Sequence, residues 1–99
     1  MCGIAGAIGG VAPDPGRIRR TLQAMSRRGP DGTRVHQEQV GGQQVTFLFA
    51  RLAIVDLDER SMQPLIQDDL VLINNGEIYN YVELRRELEA LGHVFRTTS

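Results

Sequence analysis

Seven residues, Gly3-Ile4-Ala5-Gly6-Ala7-Ile8-Gly9, follow directly on Met1-Cys2 and restrict the fold more than any other stretch. The run is apolar and closes at Gly9-Gly10, which reads as a short buried strand. Its small residues suit a strand whose backbone is approached closely by another layer or by a ligand. Cys2 is the only cysteine. If Met1 is trimmed, Cys2 carries both a thiol and a free α-amine, with ordinary pKa values of about 8.5 and about 8. A nucleophile beside its own base is a known catalytic arrangement. The competing reading is an ordinary cysteine near a terminus, and position alone does not decide between them.

Ninety-nine residues with a net charge of −1 make at most one small domain and give no electrostatic reason to bind nucleic acid or an anionic membrane. A lone cysteine cannot form an intramolecular disulfide, which points to a reducing compartment. No stretch approaches the roughly 20 apolar residues that span a bilayer, and the N-terminus lacks the pattern of a secretory signal. A cytoplasmic location is therefore expected. The end at Arg96-Thr97-Thr98-Ser99, just after an expected strand at Val94 to Thr97, reads as part of something longer.

Asp14 and Pro15 supply an N-cap and a first-turn proline. Ile18, Leu22 and Met25 then fall on one face of a helix, with Arg17, Arg19 and Arg20 mostly off that face. Gly29-Pro30 ends it, and Asp31-Gly32 makes a turn. Arg34 to Gly41 alternates like a half-buried strand; Gly41-Gly42 turns, and Val45 to Ala50 returns as a hairpin. Asp58 to Pro64 is loop-like. Leu70 to Ile73 reads as a buried strand ending at Asn74-Asn75-Gly76. Asn80 and Glu83 resemble a capping box for a second helix carrying Tyr81, Leu84, Leu88 and Leu91, closed by Gly92. The order of elements predicts an α+β fold with a largely antiparallel sheet.

A thiol nucleophile needs donors for a developing oxyanion and charges that hold a substrate. Asn75 and Gly76 at a strand end can give a side-chain amide and a backbone N–H to one oxygen; a plain turn with Glu77 as a solvated charge is the alternative. Arg51, set between Ala50 and Leu52, either snorkels to solvent or binds an anion such as a carboxylate. His36 and His93 lack metal-ligand spacing to one another or to Cys2, so no metal site is expected. Met25, Met62, Phe47, Phe49, Tyr79, Tyr81 and Phe95 are assigned to the core.

Five segments occur in register: Met1-Cys2-Gly3-Ile4-Ala5-Gly6, Arg28-Gly29-Pro30-Asp31-Gly32, Arg51-Leu52-Ala53-Ile54-Val55-Asp56, Gln63-Pro64-Leu65 and Asn75-Gly76-Glu77-Ile78-Tyr79-Asn80. Together they resemble the class II glutamine amidotransferase domain of glutamine-hydrolysing asparagine synthetases, across residues 1–99. The resemblance implies part of an N-terminal-nucleophile hydrolase αββα sandwich with mainly antiparallel sheets. It implies that Cys2 attacks the side-chain amide of glutamine, with Asn75 and Gly76 forming the oxyanion hole. Arg51 would bind the α-carboxylate and Glu77 the α-ammonium, and Leu52, Ala53, Ile54 and Val55 would line the pocket. Ammonia would pass to a synthetase domain of the same chain, where ATP and magnesium are expected; none is expected in these residues. A homodimer is compatible with the resemblance. An Asp that the family usually places after Thr-Ser, against the substrate ammonium, would lie beyond Ser99, so the isolated 99 residues are expected to be a poor or inactive glutaminase. Two alternatives remain at this level: another cysteine N-terminal-nucleophile amidohydrolase, or a non-catalytic scaffold.

Overall fold

The computed structural model describes residues 1–98. It is α+β, with two antiparallel sheets and two α-helices. The first sheet has three strands, β1 (Gly3–Gly9), β2 (Gly32–Val40) and β3 (Gln43–Arg51), in the order β1-β3-β2. The β2–β3 hairpin turns through Gly41 and Gly42, at φ of 56° and 79°. Those are values that glycine adopts without the steric cost of a Cβ. β1 then pairs along the other side of β3, Gly3 opposite Ala50 and Gly9 opposite Gln44.

Helix α1 (Pro15–Met25) begins where the Asp14 carboxylate accepts the Arg17 N–H at 2.9 Å, satisfying one otherwise free donor of the first turn. Its apolar stripe, Ile18, Leu22 and Met25, packs on Ala5, Leu48 and Ala50. Strand alternation puts these three on one face of the sheet. Gly3 lets the helix approach, since a Cβ there would sit 3.0 Å from the Met25 Cβ. Phe49, 2% exposed, and Arg51 lie on the opposite face.

The chain then runs irregularly to a short 3-10 turn (Glu59–Ser61), followed by a two-stranded hairpin, β4 (Leu65–Gln67) and β5 (Leu70–Leu72). Helix α2 (Tyr81–Ala90) ends at Gly92, whose φ is 91°.

Several expectations are corrected. The strand β4, just beyond the loop-like stretch Asp58 to Pro64, has no counterpart in the sequence reading. Asp68, at φ 52°, makes a two-residue turn with Asp69, which aspartate tolerates and which no Gly signalled. No strand forms at Val94 to Thr97. Asn80 makes no side-chain cap bond: at φ −96°, ψ 30° it is not in the extended conformation a capping side chain needs. Neither β1 nor β5 is a fully buried strand. β1 is an edge with one face under α1, leaving Ile8 67% exposed, and Leu70 and Leu72 of β5 are exposed too. Of the residues assigned to the core, Met25, Met62 and Phe49 are buried and Phe47 is half-buried. Tyr79 is 94% exposed, and Tyr81 and Phe95 are exposed as well. These aromatic residues lie on the two segments flanking α2 and at its first turn; Arg85 of α2 stacks over the Phe95 ring, 4.3 Å from its centre. No helix among the described residues is long and apolar enough to cross a membrane.

Candidate active site

The C-terminal end of β3 is where distant parts of the chain converge. Cys2 precedes β1, and the antiparallel register brings it alongside Arg51 and Leu52. The Leu52 N–H donates to the Cys2 Sγ at 3.3 Å, pointing partial positive charge at the sulfur. The thiol lies 3.7 Å from the Leu52 carbonyl oxygen. Arg28 Nε donates to the Cys2 carbonyl at 3.2 Å, fixing the backbone that carries the thiol. On the other flank Asp31 donates its N–H to the Arg51 carbonyl at 3.0 Å and accepts the Ala53 N–H at 2.8 Å. Gly29 makes this approach feasible. A Cβ at that position would lie inside the Ala50 carbonyl and 2.5 Å from the Arg51 nitrogen.

Arg51 is 6% exposed. Its Nη2 donates to the Asp56 carbonyl at 2.6 Å, the Asp58 carbonyl at 3.0 Å and the Ser61 Oγ at 2.6 Å. All three are neutral oxygens, and no carboxylate among the described residues pairs with the guanidinium. A buried cation held only by neutral groups is stabilised further by an anion that reaches it.

A cavity of about 480 Å³ opens at this place. Cys2, Arg51, Leu52, Ile54 and Val55 line one side of it, and Asn75, Gly76 and Glu77 also line it. Ala53 does not; its N–H is occupied by Asp31. Glu77 is exposed and in no ion pair among the described residues, so Arg51 and Glu77 line the same cavity without neutralising each other, with Arg85 a further cation on its lining. Met1, still attached to Cys2, is 67% exposed at the rim. No three His, Cys, Asp or Glu among the described residues gather as a metal site.

Three supporting residues had no role assigned from sequence. Ser61 accepts from Arg51 while its hydroxyl lies 2.7 Å and 2.8 Å from the Asp56 and Asp58 carbonyls. Gln63 Oε1 accepts the Asn74 N–H at 2.5 Å, holding the chain just before Asn75-Gly76. Asp56 is treated below. Gln63 and Asp56 stood inside the motif segments, which was the available signal; Ser61 gave none.

A family model for a glutamine amidotransferase domain matches residues 1–99. The chain belongs to this glutamine amidotransferase family. It is 42% identical over 107 residues to glutamine-hydrolyzing asparagine synthetase 1 of Bacillus subtilis, which covers 100% of this chain and 16% of that protein. The probable glutamine-hydrolyzing asparagine synthetase of Dictyostelium discoideum is 37% identical over 105 residues, with 100% and 18% covered. The root glutamine-hydrolyzing asparagine synthetase of Pisum sativum is 36% identical over 106 residues, with 100% and 17% covered. The chain thus spans less than a fifth of the length of these relatives. No solved structure matches it.

Proposed function

We propose that this amidotransferase domain hydrolyses glutamine to glutamate and ammonia through a thioester on Cys2, as part of an N-terminal-nucleophile hydrolase sandwich. The observation that carries the reading is the pairing, on one cavity, of the Cys2 thiol with an unneutralised Arg51 and an unneutralised Glu77. An amino-acid zwitterion needs both charges, and their presence favours glutamine over the amide of an uncharged acyl group, the alternative for a cysteine amidohydrolase of this fold. Arg51 binds the α-carboxylate and Glu77 the α-ammonium, while Leu52, Ile54 and Val55 border the aliphatic part.

After removal of Met1, the Cys2 amine takes the thiol proton, and the sulfur attacks the side-chain amide carbon. The Asn75 side-chain amide and the Gly76 N–H donate to the oxyanion. The carbon–nitrogen bond then breaks, and the amine returns the proton to the leaving ammonia. Water attacks the thioester, releasing glutamate and restoring the thiol. Ammonia passes to a synthetase domain of the same polypeptide, where it aminates an activated carboxylate. ATP and magnesium would act in that domain. The 99 residues alone are a poor glutaminase, because their β1 edge is unpaired and Ile4 and Ile8, on the face opposite α1, are left exposed.

The test is intact mass and peptide mapping of the natural full-length polypeptide after exposure to an electrophilic glutamine analogue. A single adduct on Met-less Cys2, suppressed by excess glutamine, is expected. No adduct, or Met1 still in place, would overturn the mechanism and favour a scaffold role.

A further inference from the structure

Two walls of the cavity come from segments far apart in sequence: Arg51 with the residues after it, and Thr97. One residue bonds to Arg51 and to Thr98, the neighbour of Thr97. Asp56 offers its carbonyl to Arg51 Nη2 at 2.6 Å, while its Oδ2 accepts the Thr98 N–H at 2.7 Å. The same oxygen faces Arg60 Nε at 3.4 Å, and Oδ1 accepts the Asp58 N–H at 3.3 Å. The side chain is only 3% exposed, so these bonds compete little with water. The backbone of Asp56 is left-handed, at φ 50°, which turns the carbonyl toward Arg51 and the carboxylate toward Thr98. The Thr98 N–H beside it holds the Asp56 carboxyl below the ordinary carboxylate value, against the opposing pull of burial.

The geometry points to Asp56 as a positioning residue for the glutamine site: its carbonyl aims the Arg51 guanidinium, and its carboxylate ties the 97–98 segment to that same loop. This rests on the function proposed above. Asp56 does not line the cavity. It acts by holding Arg51 where a substrate carboxylate meets it, so its loss weakens ground-state binding more than the chemistry at Cys2.

Three substitutions in the natural full-length polypeptide separate its parts. Asp56→Gly deletes the carboxylate yet leaves the left-handed backbone unstrained. Asp56→Asn keeps an acceptor for Thr98 and also tolerates this backbone. Thr98→Pro removes the donated N–H and leaves Asp56 intact, and it carries the test if Asp56→Gly does not fold. The expected result is a KM for glutamine raised about tenfold in Asp56→Gly and in Thr98→Pro, with kcat within about twofold of wild type. Asp56→Asn should restore KM to within about threefold. Alkylation of Cys2 by iodoacetamide, which needs no carboxylate partner, should proceed at the wild-type rate in all three. A wild-type KM in Asp56→Gly, or iodoacetamide alkylation slowed in step with glutamine hydrolysis, would overturn the role of Asp56 and leave the glutaminase reading standing. A wild-type polypeptide that does not hydrolyse glutamine would overturn both.

Discussion

Gly29→Ala is the substitution whose effect follows most directly from the geometry. Gly29 precedes β2 and lies flat against the end of β3; an added Cβ would penetrate the Ala50 carbonyl and reach 2.5 Å from the Arg51 nitrogen. Ordinary contact begins near 3.4 Å, so the two backbones must separate by about 1 Å. The obstructing atoms are main chain, held in the central strand from both sides, and no side-chain rotation relieves the overlap. Overpacking of this kind costs about 3 kcal/mol, the upper part of the usual range, because backbone rather than a side chain must move. The displaced atoms carry Arg51 and adjoin the Leu52 N–H that meets the Cys2 sulfur. A shift of about 1 Å at a catalytic arrangement lowers kcat/KM on the order of a hundredfold. In the natural full-length polypeptide, calorimetry should show the transition of this domain lowered by about 6 °C or more, with glutamine hydrolysis reduced accordingly. Gly10→Ala is the control, since a Cβ there meets nothing within 4 Å. Its stability should stay within about 0.5 kcal/mol of wild type. If Gly29→Ala melts within about 2 °C of wild type and retains its activity, the close approach of these two segments is wrong.

Ser61→Ala removes one of three acceptors on Arg51 Nη2 and should raise the KM for glutamine about tenfold while kcat changes little; an unchanged KM would show that Ser61 does not steady the guanidinium. Gln63→Ala leaves the Asn74 N–H without its acceptor and loosens the Asn75-Gly76 segment, so kcat should fall about tenfold with a smaller change in KM; the reverse split would refute an oxyanion role for that segment. The Asp14 carboxyl is held below its ordinary value, chiefly by the Arg17 N–H, so its folded-state pKa lies beneath the unfolded one. Its contribution is then complete above the unfolded value of about 3.9 and disappears as pH falls through the folded value. Asp14→Ala should melt a few degrees below wild type at pH 6, and the two curves should converge as pH drops below about 4. A gap that stays constant to pH 2 would refute the cap.

The elements legible in the sequence are those set by short-range chemistry. Asp14-Pro15 marks the start of α1, Gly41-Gly42 the β2–β3 turn and Gly92 the end of α2; each acts through its own backbone or its nearest neighbours. The errors share the opposite character. β4 is only three residues long and turns on two aspartates, so it offers neither alternation nor a glycine signal. Asn80 and Glu83 have the right spacing for a capping box, yet the turn at Ile78, whose carbonyl accepts the Tyr81 N–H, fixes Asn80 in another conformation. Tyr79 is aromatic and was assigned to the core, but hydrophobicity alone cannot say whether a partner covers it. For the site, the motif segments brought forward the residues that border the cavity. The bonds that hold them in place run from side chain to distant backbone, as at Asp56 with Thr98 and Asp31 with Ala53. Such bonds have no period and leave no trace in composition.

The placement of the thiol is a consequence of strand register. α1 fixes one face of the sheet through Met25, Leu48 and Ala50, which leaves the odd residues at the end of β3, Phe49 and Arg51, on the other. Pairing Gly3 with Ala50 carries Cys2 one step further, alongside Arg51, and alternation turns its side chain away from α1. A slip of one residue would aim the sulfur at Met25 instead and expose Gly3's partner face to the cavity. Two features oppose that slip. A Cβ at Gly3 would sit 3.0 Å from the Met25 Cβ, so the side chain of Cys2 or Ile4 in its position would press on Met25. The Leu52 N–H also meets the sulfur only in the observed register. The glycine-spaced opening therefore does more than make a strand: its small residues admit the helix, the helix selects the register, and the register delivers the Cys2 thiol beside the buried cation.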